Sequence, residues 1–202
     1  MDIREKMHNG KIYCCNDEGL LKEQTECMEV LYDFNQTRPS EVEKRKEFLQ
    51  KVFAEVGDNV HIEPPLHANW ERFTHVGNDV YANFNLTLVD DTDIHIGNSV
   101  LIGPNVIIDA GTHPVHPELR RKAAQYNLPV AIEDNVWIGA GAIILPGVRI
   151  GENTVIGAGS VVTKDIPANV IAVGSPCRVV REINEHDLKF YHRNMKIEAE
   201  EL

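Results

Sequence analysis

Nowhere in its 202 residues does the chain hold an apolar run near the roughly 18 to 20 residues that cross a bilayer, and the opening stretch MDIREKMHNGK has no apolar signal core. A cytoplasmic location is the expectation. Positive charge is scarce as well: 20 Lys and Arg stand against 31 Asp and Glu, a formal net charge of −11. The long-range field of such a chain repels phosphates, so general nucleic-acid or anionic-membrane binding is disfavoured and any anionic ligand needs a local basic cluster. Cysteine is sparse. Cys14, Cys15, Cys27 and Cys177 show neither a disulfide framework nor the Cys-x-x-Cys spacing of a zinc site, and they read as reduced thiols. With 43% hydrophobic and 25% charged residues, the remainder is ordinary for a globular chain and excludes disordered, collagenous and coiled-coil classes. The length fits one fold with an appendage.

The first part, residues 1–57, reads as a helical cap. Leu20, Leu21, Met28, Leu31, Tyr32 and Phe34 recur among Glu and Lys, and Thr37-Arg38-Pro39 breaks the pattern. A second helix follows, with Ser40 and Glu43 at the spacing of a capping box and Val42, Phe48, Leu49, Val52 and Phe53 available for a buried face.

From about residue 58 a period of six takes over. Ile96, Ile102 and Ile108, then Ile132, Ile138, Ile144, Ile150, Ile156 and Val162, fall in one phase. The next residue is usually glycine or acidic, and the residue four on is small or β-branched: Val100, Val106, Val136, Ala142, Val148, Thr154, Ser160. An earlier run in another phase, with Val76, Ala82 and Leu88, implies that the Asp90–Asp93 region adds residues to one turn. A helix of 3.6 residues per turn cannot keep this period on one face. The fold class read from it is mainly β, a parallel solenoid over residues 58–182 whose units are one short strand and one corner, with glycine relieving the corners.

Between Ile108 and Ile132 the polar stretch DAGTHPVHPELRRKAAQYNLP breaks the period and must protrude as a loop, residues 109–131, carrying His113 and His116. A charged tail, 183–202, reads as helical or frayed. A histidine near neutral pKa can take a proton from an attacking hydroxyl, which makes His113 a candidate general base; the pair could instead ligate a metal, with His75 or His95 as a third ligand. Asn83 can donate to developing negative charge, and Asp91 can accept from sugar hydroxyls; alternatively Asn83 stacks in a corner ladder and Asp91 caps a turn. Lys164, Arg178 and Arg181 form the local basic cluster that an anionic ligand needs.

The order PSEVEKR, EPP, VYANFNLTLVDD, IGPNV, GTHPVHPELR and NVWIGAGAIILPGVRIGENTVIGAGSVVTKDIPANVIAVGSPCRVVREIN resembles the galactoside and maltose O-acetyltransferases, nearest their galactoside branch, over almost the whole chain. The resemblance implies a left-handed β-helix, a homotrimer with active sites between neighbouring solenoids, acetyl-CoA as co-substrate, and transfer of acetyl to a hydroxyl of a galactoside or related sugar without a required metal. It implies His113 as general base and Asn83 as a transition-state contact. Asn69, Asn83 and Asp91 would bind the acceptor, while Tyr81 and Trp137 would wall the site or pack at corners. Ala140, through its N–H alone, Ala158, Thr163, Lys164, Arg178 and Arg181 would bind the donor. One departure stands out: Cys15 falls where the family has a substrate-binding aspartate, with Asp17 two residues out of register. The same solenoid also carries γ-class carbonic anhydrases, so a zinc lyase and a non-catalytic trimeric scaffold are the alternative functions.

Overall fold

A computed structural model describes residues 1–193 and 195–198. Helices α1 (Ile3–Met7), α2 (Glu18–Asn35) and α3 (Val42–Val52) precede a parallel β-helix of triangular section. Its first face stacks Glu55–Val56, Thr74–Val76, Ile94–Ile96, Val130–Ile132 and Arg149–Ile150. The second carries His61–Ile62, Tyr81–Ala82, Leu101–Ile102, Trp137–Ile138, Val155–Ile156 and Val170–Val173, closed by the antiparallel Arg178–Glu182. The third stacks Leu66–Ala68, Leu86–Val89, Ile107–Asp109, Ile143–Ile144 and Val161–Val162.

The nine phased Ile and Val residues all lie inside the prism, as do Val76, Ala82 and Leu88 one coil below. Because each side chain stacks on its counterpart one coil away, as Ile138 on Ile102 and Ile156, the period of six becomes three continuous apolar columns. The glycines beside them work differently from the expectation of relaxed corners. At Gly77 the backbone is ordinary, but a Cβ would stand 2.8 Å from Asn98 Oδ1, and that oxygen accepts the Asn78 N–H at 2.9 Å. Glycine there makes room for a side-chain ladder between coils. A parallel column at the same corner links Asn135, Asn153 and Asn169 through amide hydrogen bonds of 2.9 Å, all three at positive φ, which asparagine tolerates.

Several expectations are corrected. The solenoid starts at Glu55, since Glu55–Val56 already pairs with His75–Val76. The cap is not helical throughout: Tyr13–Cys14 is a strand. The Ser40 capping box does not form, because Glu41 closes the preceding turn by accepting the Arg38 N–H at 2.7 Å and α3 begins after it without a side-chain cap. Leu20, Leu31 and Phe34 are buried on α2, and Leu49 on α3, whereas Leu21, Met28, Tyr32 and Val42 are exposed. The tail contains a hairpin, Phe190–His192 with Met195–Lys196, and its end, 199–202, lies outside the described residues. The 109–131 segment is itself structured: Gly111–Thr112, α4 (Pro117–Arg121) and Ala124–Asn127, the last pairing antiparallel with both Gly111–Thr112 and Tyr13–Cys14.

Candidate active site

The chemistry-bearing residues Asn69, Asp91 and His113 all leave the solenoid at the edge between the third and first faces. There the chain takes eight residues from Ala68 to Val76 and again from Leu88 to Ile96, and the long excursion from Ile108 to Ile132 leaves at the same edge. The insertion at Asp90–Asp93 was expected; the one at Asn69–Phe73 was not. Together with the N-terminal strand they enclose a cavity of about 200 Å³ lined by Tyr13, Cys15, Gln24, Asn69, Asp91 and Gln125, among others.

Asp91 is buried at its floor. Its Oδ1 accepts from Asn69 Nδ2 at 3.1 Å and Trp70 Nε1 at 2.9 Å, and Oδ2 accepts from Gln125 Nε2 at 2.8 Å. Three neutral donors hold the carboxylate while leaving acceptor capacity for a ligand hydroxyl. Asn127 ties this floor to the cap, donating through Nδ2 to the carbonyls of Asp91 (2.7 Å) and Met7 (3.1 Å). Behind it, Asp90 is fully buried, and burial pushes its carboxyl up to about 7 against the opposing Trp70 N–H. Burial also raises the Cys15 thiol above its ordinary value. Asp17 does not line the cavity; its Oδ1 caps α2 by accepting the Leu20 N–H at 3.1 Å.

His113 lies on the loop that leaves Gly111–Thr112, and its partner Ala124 is next to the cavity-lining Gln125. Its Nδ1 lies 2.9 Å from the Ala124 carbonyl oxygen, which can only accept, so the neutral ring carries its proton on Nδ1 and its lone pair on Nε2. Asp109, half-buried, has its carboxyl raised, first by burial and further by Asp91. His116 faces elsewhere: it is exposed and caps α4, accepting the Glu118 N–H at 3.3 Å. His75 and His95 stack on the outer first face with ring centroids 4.4 Å apart. Among the described residues no group of three His, Cys, Asp or Glu side chains is arranged to hold a metal ion, so the ligand set of the zinc alternative is not assembled within one chain.

The remaining candidates do not line this cavity. Asn83, Ala140 and Ala158 lie along the edge between the second and third faces, with the Gly103–Pro104 level between Asn83 and Ala140. Neither the Ala140 nor the Ala158 N–H meets a protein acceptor among the described residues. Both are exposed. Asn83 is not part of an asparagine ladder; its Oδ1 accepts the Phe84 N–H at 2.8 Å. Thr163 and Lys164 follow the last strand of the third face, exposed, and Arg178 and Arg181 lie on the closing strand of the second. Arg181 is already paired with Asp187 through two bonds of 2.6 and 2.7 Å. Tyr81, Leu101 and Trp137 form an exposed apolar stripe along the second face. Trp70, Gln125 and Asn127 were missed from sequence, since only the fold brings positions 70, 91 and 125–127 together.

The β-helix, its helical cap and the family models that match them put the chain in the hexapeptide-repeat acyltransferase class. Residues 6–57 match the maltose acetyltransferase hexapeptide capping motif, and residues 129–164 match six bacterial transferase hexapeptide repeats. The galactoside O-acetyltransferase of Lactococcus lactis is 55% identical over 202 residues, covering 100% of this chain and 98% of that protein. That of Escherichia coli is 48% identical, covering 98% of each. Among solved structures, a galactoside acetyltransferase in complex with coenzyme A superposes with a TM-score of 0.94 at 46% identity, covering 98% of this chain and 100% of the other. A maltose O-acetyltransferase from Clostridium difficile gives 0.89 at 46% identity, covering 92% and 99%. The chain belongs to the galactoside and maltose O-acetyltransferase family, and its solenoid is the left-handed β-helix of those enzymes.

Proposed function

We propose that the protein transfers acetyl from acetyl-CoA to a hydroxyl of a galactoside or related sugar in the cytoplasm, by direct attack, with His113 as general base. The observation that carries this reading is the His113 ring, whose Nδ1 is fixed on the Ala124 carbonyl, one residue from the cavity-lining Gln125, while Nε2 has no protein partner among the described residues. Nε2 takes the hydroxyl proton as the oxygen attacks the thioester carbonyl carbon. The tetrahedral oxyanion is met by the Ala140 N–H and by Asn83, the C–S bond breaks, and the imidazolium returns its proton to the departing thiolate. Asp91 and Asn69 hold the acceptor, and Cys15 contributes to its wall. Ala158, Thr163, Lys164, Arg178 and Arg181 serve the donor, Arg181 exchanging Asp187 for phosphate.

His113 and Asn83 project from different edges of one prism, which supports active sites formed between the protomers of a homotrimer. The Tyr81, Leu101 and Trp137 stripe offers apolar surface for that packing. The test is His113→Ala with acetyl-CoA and a panel of galactosides and glucosides. Turnover should fall by about 10² to 10⁴ with both substrates still bound, the range of general-base contributions. Wild-type acetyl transfer by the variant to every acceptor would refute the mechanism.

A further inference from the structure

The excursion from Asn69 to Phe73 departs from the backbone ladder, and its amides need other partners. Asn69 N–H reaches the Leu88 carbonyl at 3.2 Å, but Trp70 N–H has no backbone acceptor. One carboxylate serves both ends of the excursion. Asp90 Oδ1 accepts from Asn69 N at 3.0 Å and Trp70 N at 2.9 Å, and Oδ2 accepts from Thr74 Oγ at 3.1 Å. Asp90 and Thr74 are both 0% exposed, so water cannot stand in for either.

We propose that Asp90 is a positioning residue for the acceptor site, bracing the Asn69–Trp70 segment so that its two side-chain donors stay aimed at Asp91. The proposal rests on the reading of Asp91 and Asn69 as acceptor-binding groups. The geometry explains why a carboxylate is kept here without a cationic partner: Arg72, the cation on this excursion, is bonded to Glu23 at 2.8 Å and lies over the Trp70 ring at 5.0 Å. Burying an anion among neutral donors is costly for a turn that only has to close. The return is placement, because Asn69 Nδ2 and Trp70 Nε1 meet on the same Asp91 oxygen, and a shift of the segment displaces both. Asp90 touches no substrate; it acts through Asn69 and Trp70 on Asp91.

The experiment uses the full chain with acetyl-CoA and a nitrophenyl galactoside, comparing Thr74→Val, Thr74→Ser, Asp90→Asn and Asp91→Asn. Thr74→Val keeps the shape and removes one donor to the carboxylate, and it should raise the acceptor KM about tenfold, the scale of one hydrogen bond to a charged group. The acetyl-CoA KM and kcat should stay within about twofold, because the donor groove and His113 are untouched. Thr74→Ser, which keeps the hydroxyl, should restore the acceptor KM. Asp90→Asn should raise it further; if that variant does not fold, the Thr74 pair decides. An unchanged acceptor KM in Thr74→Val, equal losses on both substrates, or failure of serine to rescue would overturn the proposal. Asp91→Asn separates the premise from the inference: if it raises the acceptor KM while Thr74→Val does not, only the brace is wrong. If Asp91→Asn leaves the acceptor KM unchanged, the acceptor reading falls and the brace with it.

Discussion

Glu71 gives a prediction that does not depend on catalysis. It stands on the same excursion at φ 52°, is 2% exposed, and has a buried Oε1 with no hydrogen-bond partner among the described residues. Burial pushes its carboxyl from an ordinary 4.5 up to about 7, against the opposing Cys27 thiol and Arg72. An acid raised on folding keeps its proton in the native state between these two values while the unfolded chain has lost it. Stability is therefore present in full below pH 4.5 and falls as the pH rises through about 7. At about 1.4 kcal/mol per pH decade, the interval corresponds to a loss of about 3 kcal/mol by pH 8. Glu71→Gln removes this ionisation at similar volume, so it should stabilise the protein by about 2 to 3 kcal/mol at pH 8 and by less than about 1 kcal/mol at pH 5. Asp90 titrates in both proteins, and an ionised Glu71 raises it further, so the substitution relieves both carboxylates in the same direction. Urea unfolding followed by circular dichroism, at one protein concentration because oligomers gain apparent stability with concentration, measures the difference. A gap between variant and wild type that is equal at the two pH values would refute the raised titration; a gap that widens towards acid would reverse its sign.

Three further predictions concern the site. Mixing inactive His113→Ala and Asn83→Ala proteins under subunit exchange should restore activity at about a quarter of the sites, the combinatorial limit when each site takes one residue from each of two neighbours. No recovery despite verified exchange would place both residues in one protomer's site. Lys164→Ala or Arg178→Ala should raise the acetyl-CoA KM, more strongly at low ionic strength, and leave the acceptor KM unchanged; losses that ignore salt would remove these residues from a phosphate contact. Cys15→Asp should lower the KM for galactosides without changing that for acetyl-CoA, and an unaltered acceptor profile would show that position 15 does not set specificity.

The six-residue period was legible because each Ile or Val must stack on another in the same column, a constraint written into every repeat. The Asn69–Phe73 excursion left no such trace: Trp70 and Phe73 look like ordinary apolar residues until the strands on either side are fixed. The cap was harder still. Tyr13–Cys14 pairs with residues more than a hundred positions away, and local helical patterns carry no information about that contact. His113 and Asp91 stood out through chemistry and motif, but the groups that orient them did not. Ala124 contributes a carbonyl, which any residue type would supply, and Gln125 and Asn127 became visible only once the Ala124–Asn127 strand lay against Tyr13–Cys14 and Gly111–Thr112.

That every insertion leaves from one edge has a consequence for how such a chain can change. The edge after the first face is locked by asparagine columns, and the edge bearing Ala140 and Ala158 is packed coil against coil, with Gly103 and Gly139 giving each alanine its clearance. Lengthening either would throw every later strand out of step. The remaining edge accepts two extra residues, or more than a dozen, and returns the chain to its place one level up. On the function proposed above, acceptor preference can thus drift by growth and trimming at that edge while Ala140 and Ala158, on a packed edge, keep their places.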